Sequence, residues 1–226
     1  MFGRYKLTVS FREIVRLYNL TNSVNLPSRY NIAPTQDVLV VIDDGATKQR
    51  RGEMMRWGLV PFWAKDAKIG YSLINAKAET VAEKPAFRDA FKKRRCIIPA
   101  DGFYEWQTID VMRRQPYLIA MKDDRPFSFA GLWEKWTDKA SGEVIRSCTI
   151  ITTEPNALCA PIHNRMPVIL DPSSYARWLG KRPVTSNELQ GMLRPYPANE
   201  MKAIKIGPRI GNVKYDEPSL VEPLET

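Results

Sequence analysis

The chain has 226 residues, 44% of them hydrophobic, with 34 Lys+Arg against 25 Asp+Glu, a net charge of +9 and a single histidine. That length and apolar content suit one packed domain over residues 1–226, while one imidazole and the lack of any Cys-x-x-Cys pair exclude the common zinc sites and the positive excess favours polyanionic partners. No apolar run has signal-peptide or membrane-spanning length, so the sequence reads as cytosolic with no membrane partner, and Cys96, Cys148 and Cys159, at irregular spacing, suit reduced thiols.

Ser10-Phe11-Arg12-Glu13 reads as a capping box, and Ile14, Val15, Leu17 and Tyr18 recur behind it at helical spacing, which predicts an early helix. Residues 30–34 read as extended, 38–42 as a buried strand, Asp43-Asp44-Gly45 as a turn and 54–59 as the returning strand. Pro85 reads as a first helical residue, ahead of an apolar stripe of Phe87, Ala90 and Phe91. The run Lys92-Lys93-Arg94-Arg95 then places cations at the negative pole of that helix. Short strands follow at 96–99, 103–107, 117–121, 128–133 and 145–153, separated by turn signals at Asp101-Gly102, Asp123-Asp124 and Ser141-Gly142. Helices are predicted at 173–179 and 187–193 and a last strand at 201–206. Strand and helix do not alternate regularly, which argues against a doubly wound parallel sheet and for an α+β fold with mainly antiparallel strands.

Four polar segments carry the candidate chemistry: Gly3-Arg4, Ile74 to Glu79, Asp101 to Trp106, and Pro161 to Pro167 around His163. His163 is the one side chain whose ordinary pKa suits proton transfer near neutrality. Glu105 is flanked by Phe103, Tyr104 and Trp106, surroundings that raise a carboxyl pKa and make it a usable acid or base. Strand alternation alone instead puts Glu105 on a wet face. Asn75 reads as a turn residue or as an amide that orients a substrate, with the turn favoured. Lys77 and Arg165 are cations suited to phosphates, as exposed cations in general are. Of the six tryptophans, Trp106 is the one beside a candidate catalytic residue.

Together these segments resemble the SOS response-associated peptidase (SRAP) family, proteins that attach themselves to abasic sites in single-stranded DNA. The fragments are Gly3-Arg4-Tyr5, Arg29 to Pro34, Trp57-Gly58-Leu59-Val60-Pro61, Asn75-Ala76-Lys77-Ala78-Glu79, Gly102 to Trp106, His163-Asn164-Arg165-Met166-Pro167, Gly211-Asn212-Val213 and Leu220 to Pro223, in order over nearly the whole chain. The resemblance implies a single SRAP-like domain with a mainly antiparallel, barrel-like sheet core flanked by helices, no cofactor, and single-stranded DNA with abasic sites as the partner of a monomer. Family members carry a cysteine at position 2, whose α-amine and thiol close a thiazolidine on the aldehyde of the ring-opened sugar. By the same resemblance Asn75 positions the opened sugar, Glu105 moves protons during ring opening, and His163 stabilises the sugar oxygen. Arg4, Lys77 and Arg165 match positions near the DNA backbone, and Trp106 matches an aromatic that stacks where the strand kinks.

Two positions depart from the pattern. Phe2 stands where the family has its cysteine, and Lys77 where it often has arginine. Phenylalanine supplies no thiol, so position 2 cannot close a thiazolidine; lysine keeps the charge but lacks the bidentate fork. Three readings follow: an abasic-site sensor with an impaired nucleophile, a non-covalent single-stranded DNA-binding module, and, on the family name alone, a peptidase. Cys159 is the remaining thiol nearest His163 in sequence, although Pro161 between them argues against one helix presenting both.

Overall fold

A computed structural model describes residues 2–43, 49–180 and 184–224. Its strands, in chain order, are β1 (Tyr5–Leu7), β2 (Arg29–Ile32), β3 (Asp37–Asp43), β4 (Arg50–Trp57), β5 (Asn75–Lys77), β6 (Arg95–Ala100), β7 (Gly102–Thr108), β8 (Arg114–Met121), β9 (Phe127–Thr137), β10 (Val144–Thr153), β11 (Met166–Pro167) and β12 (Met201–Lys205). The α-helices are short: α1 (Phe11–Tyr18), α2 (Arg88–Lys93), α3 (Tyr175–Trp178) and α4 (Ser186–Gly191).

Five strands close on themselves in the order β4-β3-β6-β9-β10, with β10 returning to β4. Every pairing in this ring is antiparallel except β10 with β4. Closure leaves no sheet edge in the ring, and Val38 to Ile42, Cys96 to Ile98, Phe129 and Ile150 belong to the main hydrophobic core on its two sides. A second, antiparallel sheet runs β12-β8-β7-β1-β2. Aromatic rings join the two sheets: Phe2, just ahead of β1, meets Trp57, Phe103 and Phe129 with centroids 5.3–5.8 Å apart, and Phe103 meets Phe129 at 6.1 Å. The α+β, barrel-like expectation agrees with this architecture.

Local details follow from side-chain chemistry. Ser10 Oγ accepts the Glu13 N–H at 3.3 Å and caps α1. The second predicted helix starts three residues late: Pro85 lies in a turn, where the Phe87 and Arg88 N–H groups both donate to Lys84 O, and helical hydrogen bonding begins only at Arg88. The predicted helix at 173–179 is a 3-10 turn, Pro172–Ser174, that tightens into α3. The Asp43-Asp44-Gly45 turn lies largely outside the described residues. β4 begins four residues ahead of its predicted start and ends at Trp57, where Gly58 takes a φ of 135°. A side chain there would also come within 2.7 Å of the Gly70 carbonyl, so the turn requires glycine. Among the described residues no helix is long and apolar enough to cross a membrane.

Candidate functional site

Alternation along β7 places Phe103 and Glu105 on one face and Tyr104 and Trp106 on the other. Phe103 enters the aromatic contact between the sheets. Tyr104 joins Leu118, Ile206, Ile210 and Leu220 in a smaller cluster, against which half-buried Trp106 packs. Both faces of the strand are thereby covered, and Glu105 is 3% exposed rather than on a wet face. Its Oε1 is buried and has no hydrogen-bond partner among the described residues. Burial pushes the carboxyl up to about 7, against the weaker pull of a Trp106 backbone hydrogen bond.

Facing it is His163, with Nδ1 3.9 Å from Glu105 Oε1, a charge contact rather than a hydrogen bond. The imidazole leaves a turn tied by Asn156: Leu158 and Cys159 N–H groups donate to Asn156 Oδ1, and the His163 N–H donates to Cys159 O. Gln107 Nε2 on β7 donates to Pro161 O at 3.0 Å, fastening this turn to the strand that carries Glu105. The Arg165 N–H and the Arg165 carbonyl both lie 3.1 Å from His163 Nδ1. A neutral ring protonated on Nε2 accepts the N–H, whereas a protonated ring donates to the carbonyl. Burial holds the imidazole pKa down, which favours the accepting form at neutrality.

Asn75 opens β5 instead of closing a turn. Trp57, fully buried, donates its indole N–H to Ile74 O at 2.9 Å, and the parallel register on β10 pairs Asn75 with Ile150. Its Nδ2 is used on Ile74 O, while Oδ1 is buried without a partner among the described residues. Along Asn75-Ala76-Lys77-Ala78-Glu79 the two alanines are buried, Asn75 is half-buried, and Lys77 and Glu79 are exposed. Lys77 is exposed and pairs with Thr152.

Arg165 is committed to protein. Its guanidinium grips Glu79 through two bonds of 2.6 and 3.0 Å and donates to Thr152 O at 2.7 Å, and the Arg165 hydrogen bond holds the Glu79 carboxyl below its ordinary range. Glu79 and Thr152, to which sequence reasoning gave no role, thus bind the His163 turn to β5 and β10. Arg4 is likewise occupied: Nη1 donates to Asn31 Oδ1 and Ile210 O, each at 2.8 Å, and Nη2 to Gly211 O at 3.1 Å. Phe2 is fully buried among Trp57, Phe103 and Phe129. All three cysteines are buried, and burial pushes the Cys159 thiol up to about 12. No group of three or more His, Cys, Asp or Glu side chains among the described residues is arranged to hold a metal ion.

The arrangement offers a carboxyl poised near neutrality, a neutral imidazole beside it, an amide oxygen with no protein donor, and an exposed primary amine two residues further along the strand that carries the amide. Such a set can move protons on an oxygenated, uncharged group next to a phosphate chain. The family described as SOS response associated peptidase (SRAP) matches residues 1–213. The abasic site processing protein YoqW of Bacillus subtilis is 43% identical over 225 residues, covering 98% of this chain and 99% of its own. The abasic site processing protein HMCES of Pongo abelii is 28% identical over 87% of this chain and 65% of its own. A solved structure of a Bacteroides thetaiotaomicron protein superposes over the whole of both chains with a TM-score of 0.89 at 28% identity.

Proposed function

The chain belongs to the SOS response-associated peptidase family, and from that premise we propose that it recognises and processes abasic sites in single-stranded DNA as part of a DNA damage response. The observation that carries this reading is Glu105: a buried carboxyl with an unpartnered oxygen, raised to about 7, facing the only histidine of the chain at 3.9 Å. In the proposed roles Glu105 opens the sugar ring and moves protons, His163 meets the sugar oxygen, and the free Oδ1 of Asn75 accepts from a sugar hydroxyl. Lys77 lies along the DNA backbone and Trp106 offers a face to a neighbouring base. Arg165 and Arg4, spent on Glu79, Thr152, Asn31 and the 210–211 carbonyls, support the site from behind and reach phosphate only through what their charge adds to the surface.

The proposal treats residues 1–226 as one domain, supported by Asn31 of β2 donating to the carbonyls of Asn212 and Tyr215, and it takes the protein as a cytoplasmic monomer with no cofactor. Titration of single-stranded oligonucleotides, one intact and one carrying a tetrahydrofuran abasic analogue, tests the reading. At least tenfold tighter binding of the analogue is expected, with affinity falling as salt rises; equal affinity for both overturns it.

A second reading, non-covalent binding, is favoured by one observation. Phe2 has no thiol and its ring fills the contact between the sheets, while Cys96, Cys148 and Cys159 are buried. A thiazolidine therefore has no source, and intact mass after incubation with natural abasic DNA is expected to show no stable, unreduced adduct.

A further inference from the structure

We propose that Lys77 is the nucleophile of this chain, and that it forms an imine with the abasic aldehyde that resolves by strand cleavage and turnover rather than by a permanent crosslink. The inference rests on the abasic-site reading above and adds the attacking atom and the fate of the product.

Three observations converge on Lys77. It shares the outward face of β5 with Asn75, two residues away and so about 7 Å along the strand, a span that a lysine side chain covers. Its ammonium has no hydrogen bond or ion pair among the described residues and acts on Glu79 only through space. Its backbone is opposite Thr152, whose carbonyl is held by Arg165, whose own N–H meets the His163 ring. Lys77 is therefore joined through Thr152 and Arg165 to the turn that carries His163. Lys6, the other lysine close to β7, is spent: its Nζ is ion-paired with Asp101 at 3.1 Å. No thiol competes, since position 2 is a buried phenylalanine.

The chemistry closes without an oxidant or reductant. The Lys77 lone pair adds to C1′ of the ring-opened aldehyde, and the carbinolamine loses water to give the imine, with Glu105 delivering the proton that leaves in that water. A thiol would trap this imine as a five-membered ring. Without one, the Glu105 carboxylate removes a C2′ proton, the C–H electrons form the C2′–C3′ double bond, and the C3′–O bond breaks. The 3′ phosphate departs with its electron pair as the 5′ end of the second fragment. Water then hydrolyses the conjugated imine, freeing Lys77 and leaving an unsaturated aldehyde on the first fragment.

The test uses the full chain, a single-stranded oligonucleotide with one natural abasic site, and sodium cyanoborohydride. Reduction is expected to trap one DNA-linked protein, with the link mapping by peptide mass to Lys77; without reductant, more than one equivalent of strand is cut per protein. Lys77→Arg keeps the charge and removes the reactive amine, and is expected to lower trapping and cleavage per bound complex at least tenfold, with occupancy measured on the tetrahydrofuran analogue. A link mapped to the N-terminal peptide, or Lys77→Arg trapping as well as the unaltered chain, overturns the assignment. Tight binding of the analogue with no trapping overturns the imine but leaves the abasic-site reading intact, whereas loss of preference for the analogue overturns that reading itself.

Discussion

Asp101 and Glu105 lie four residues apart, are 6% and 3% exposed, and have opposite surroundings. Asp101 accepts the Thr8 N–H at 3.0 Å and the Thr8 hydroxyl through Oδ2, and its Oδ1 is ion-paired with Lys6 at 3.1 Å. Glu105 has a buried oxygen that no protein group satisfies and a pKa near 7. Burying a carboxylate is costly unless it is paired, so the first arrangement holds β1 against β7 and the second keeps a proton exchangeable. Burial alone does not separate a structural carboxylate from a functional one; the count of donors does.

The comparison breaks most visibly through Glu105→Gln. Loss of the acid/base group is expected to slow abasic-strand processing by about 10²- to 10⁴-fold, read from single-turnover rates; a change of less than threefold makes Glu105 a bystander. Asp101→Asn is expected to act on the fold instead, costing about 3 kcal/mol by leaving half-buried Lys6 without its counter-charge. Urea unfolding measures it, and activity per folded molecule should be unchanged. Glu105→Gln should also stabilise the protein at alkaline pH. The folded carboxyl is raised from 4.5 to about 7, so the native state holds its proton longer than the unfolded chain, and wild-type stability falls as pH climbs through that window. The neutral glutamine escapes this loss, a gain of at most about 3 kcal/mol at pH 8 that vanishes near pH 4. Equal melting-point differences at the two pH values contradict a desolvated carboxyl. Smallest is Gln107→Ala, which cuts the bond to Pro161 O: about 1 kcal/mol of stability and a severalfold fall in rate as the His163 turn loosens.

Where side chains alternate over five or more residues the sequence was readable. β6 to β10 fall within a few residues of their predicted bounds, and the Ser10 cap marked α1. Strands of two or three residues were not legible, because β1, β5 and β11 exist through partners far along the chain rather than through local pattern. Asn75 was misread as a turn for that reason, and Glu105 was placed on a wet face because nothing local shows that the other sheet and the His163 turn cover the Phe103–Glu105 face of β7 as well. Family resemblance named Asn75, Glu105 and His163, but which cations are free was decided by tertiary contacts. Arg165 and Arg4 turned out to be tied to protein, and Lys77 did not.

The clamp between the two ends of the chain has a consequence for timing. Arg4 reaches the carbonyl of Ile210, 206 positions away, and Asp216 accepts the N–H of Asn31, across 185. β1 and β2 thus belong to the earliest sequence to leave the ribosome and to the last contacts to form, since pairing of this range is slow and waits for the distant partner to be made. Until about residue 216 has been synthesised, Arg4 and Asn31 lack the partners that fasten β1 and β2, and the Tyr104–Trp106 face of β7 lacks its cover. A chain stopped before that point therefore carries Asn75, Glu105 and His163 on a sheet whose outer layer is not yet fastened.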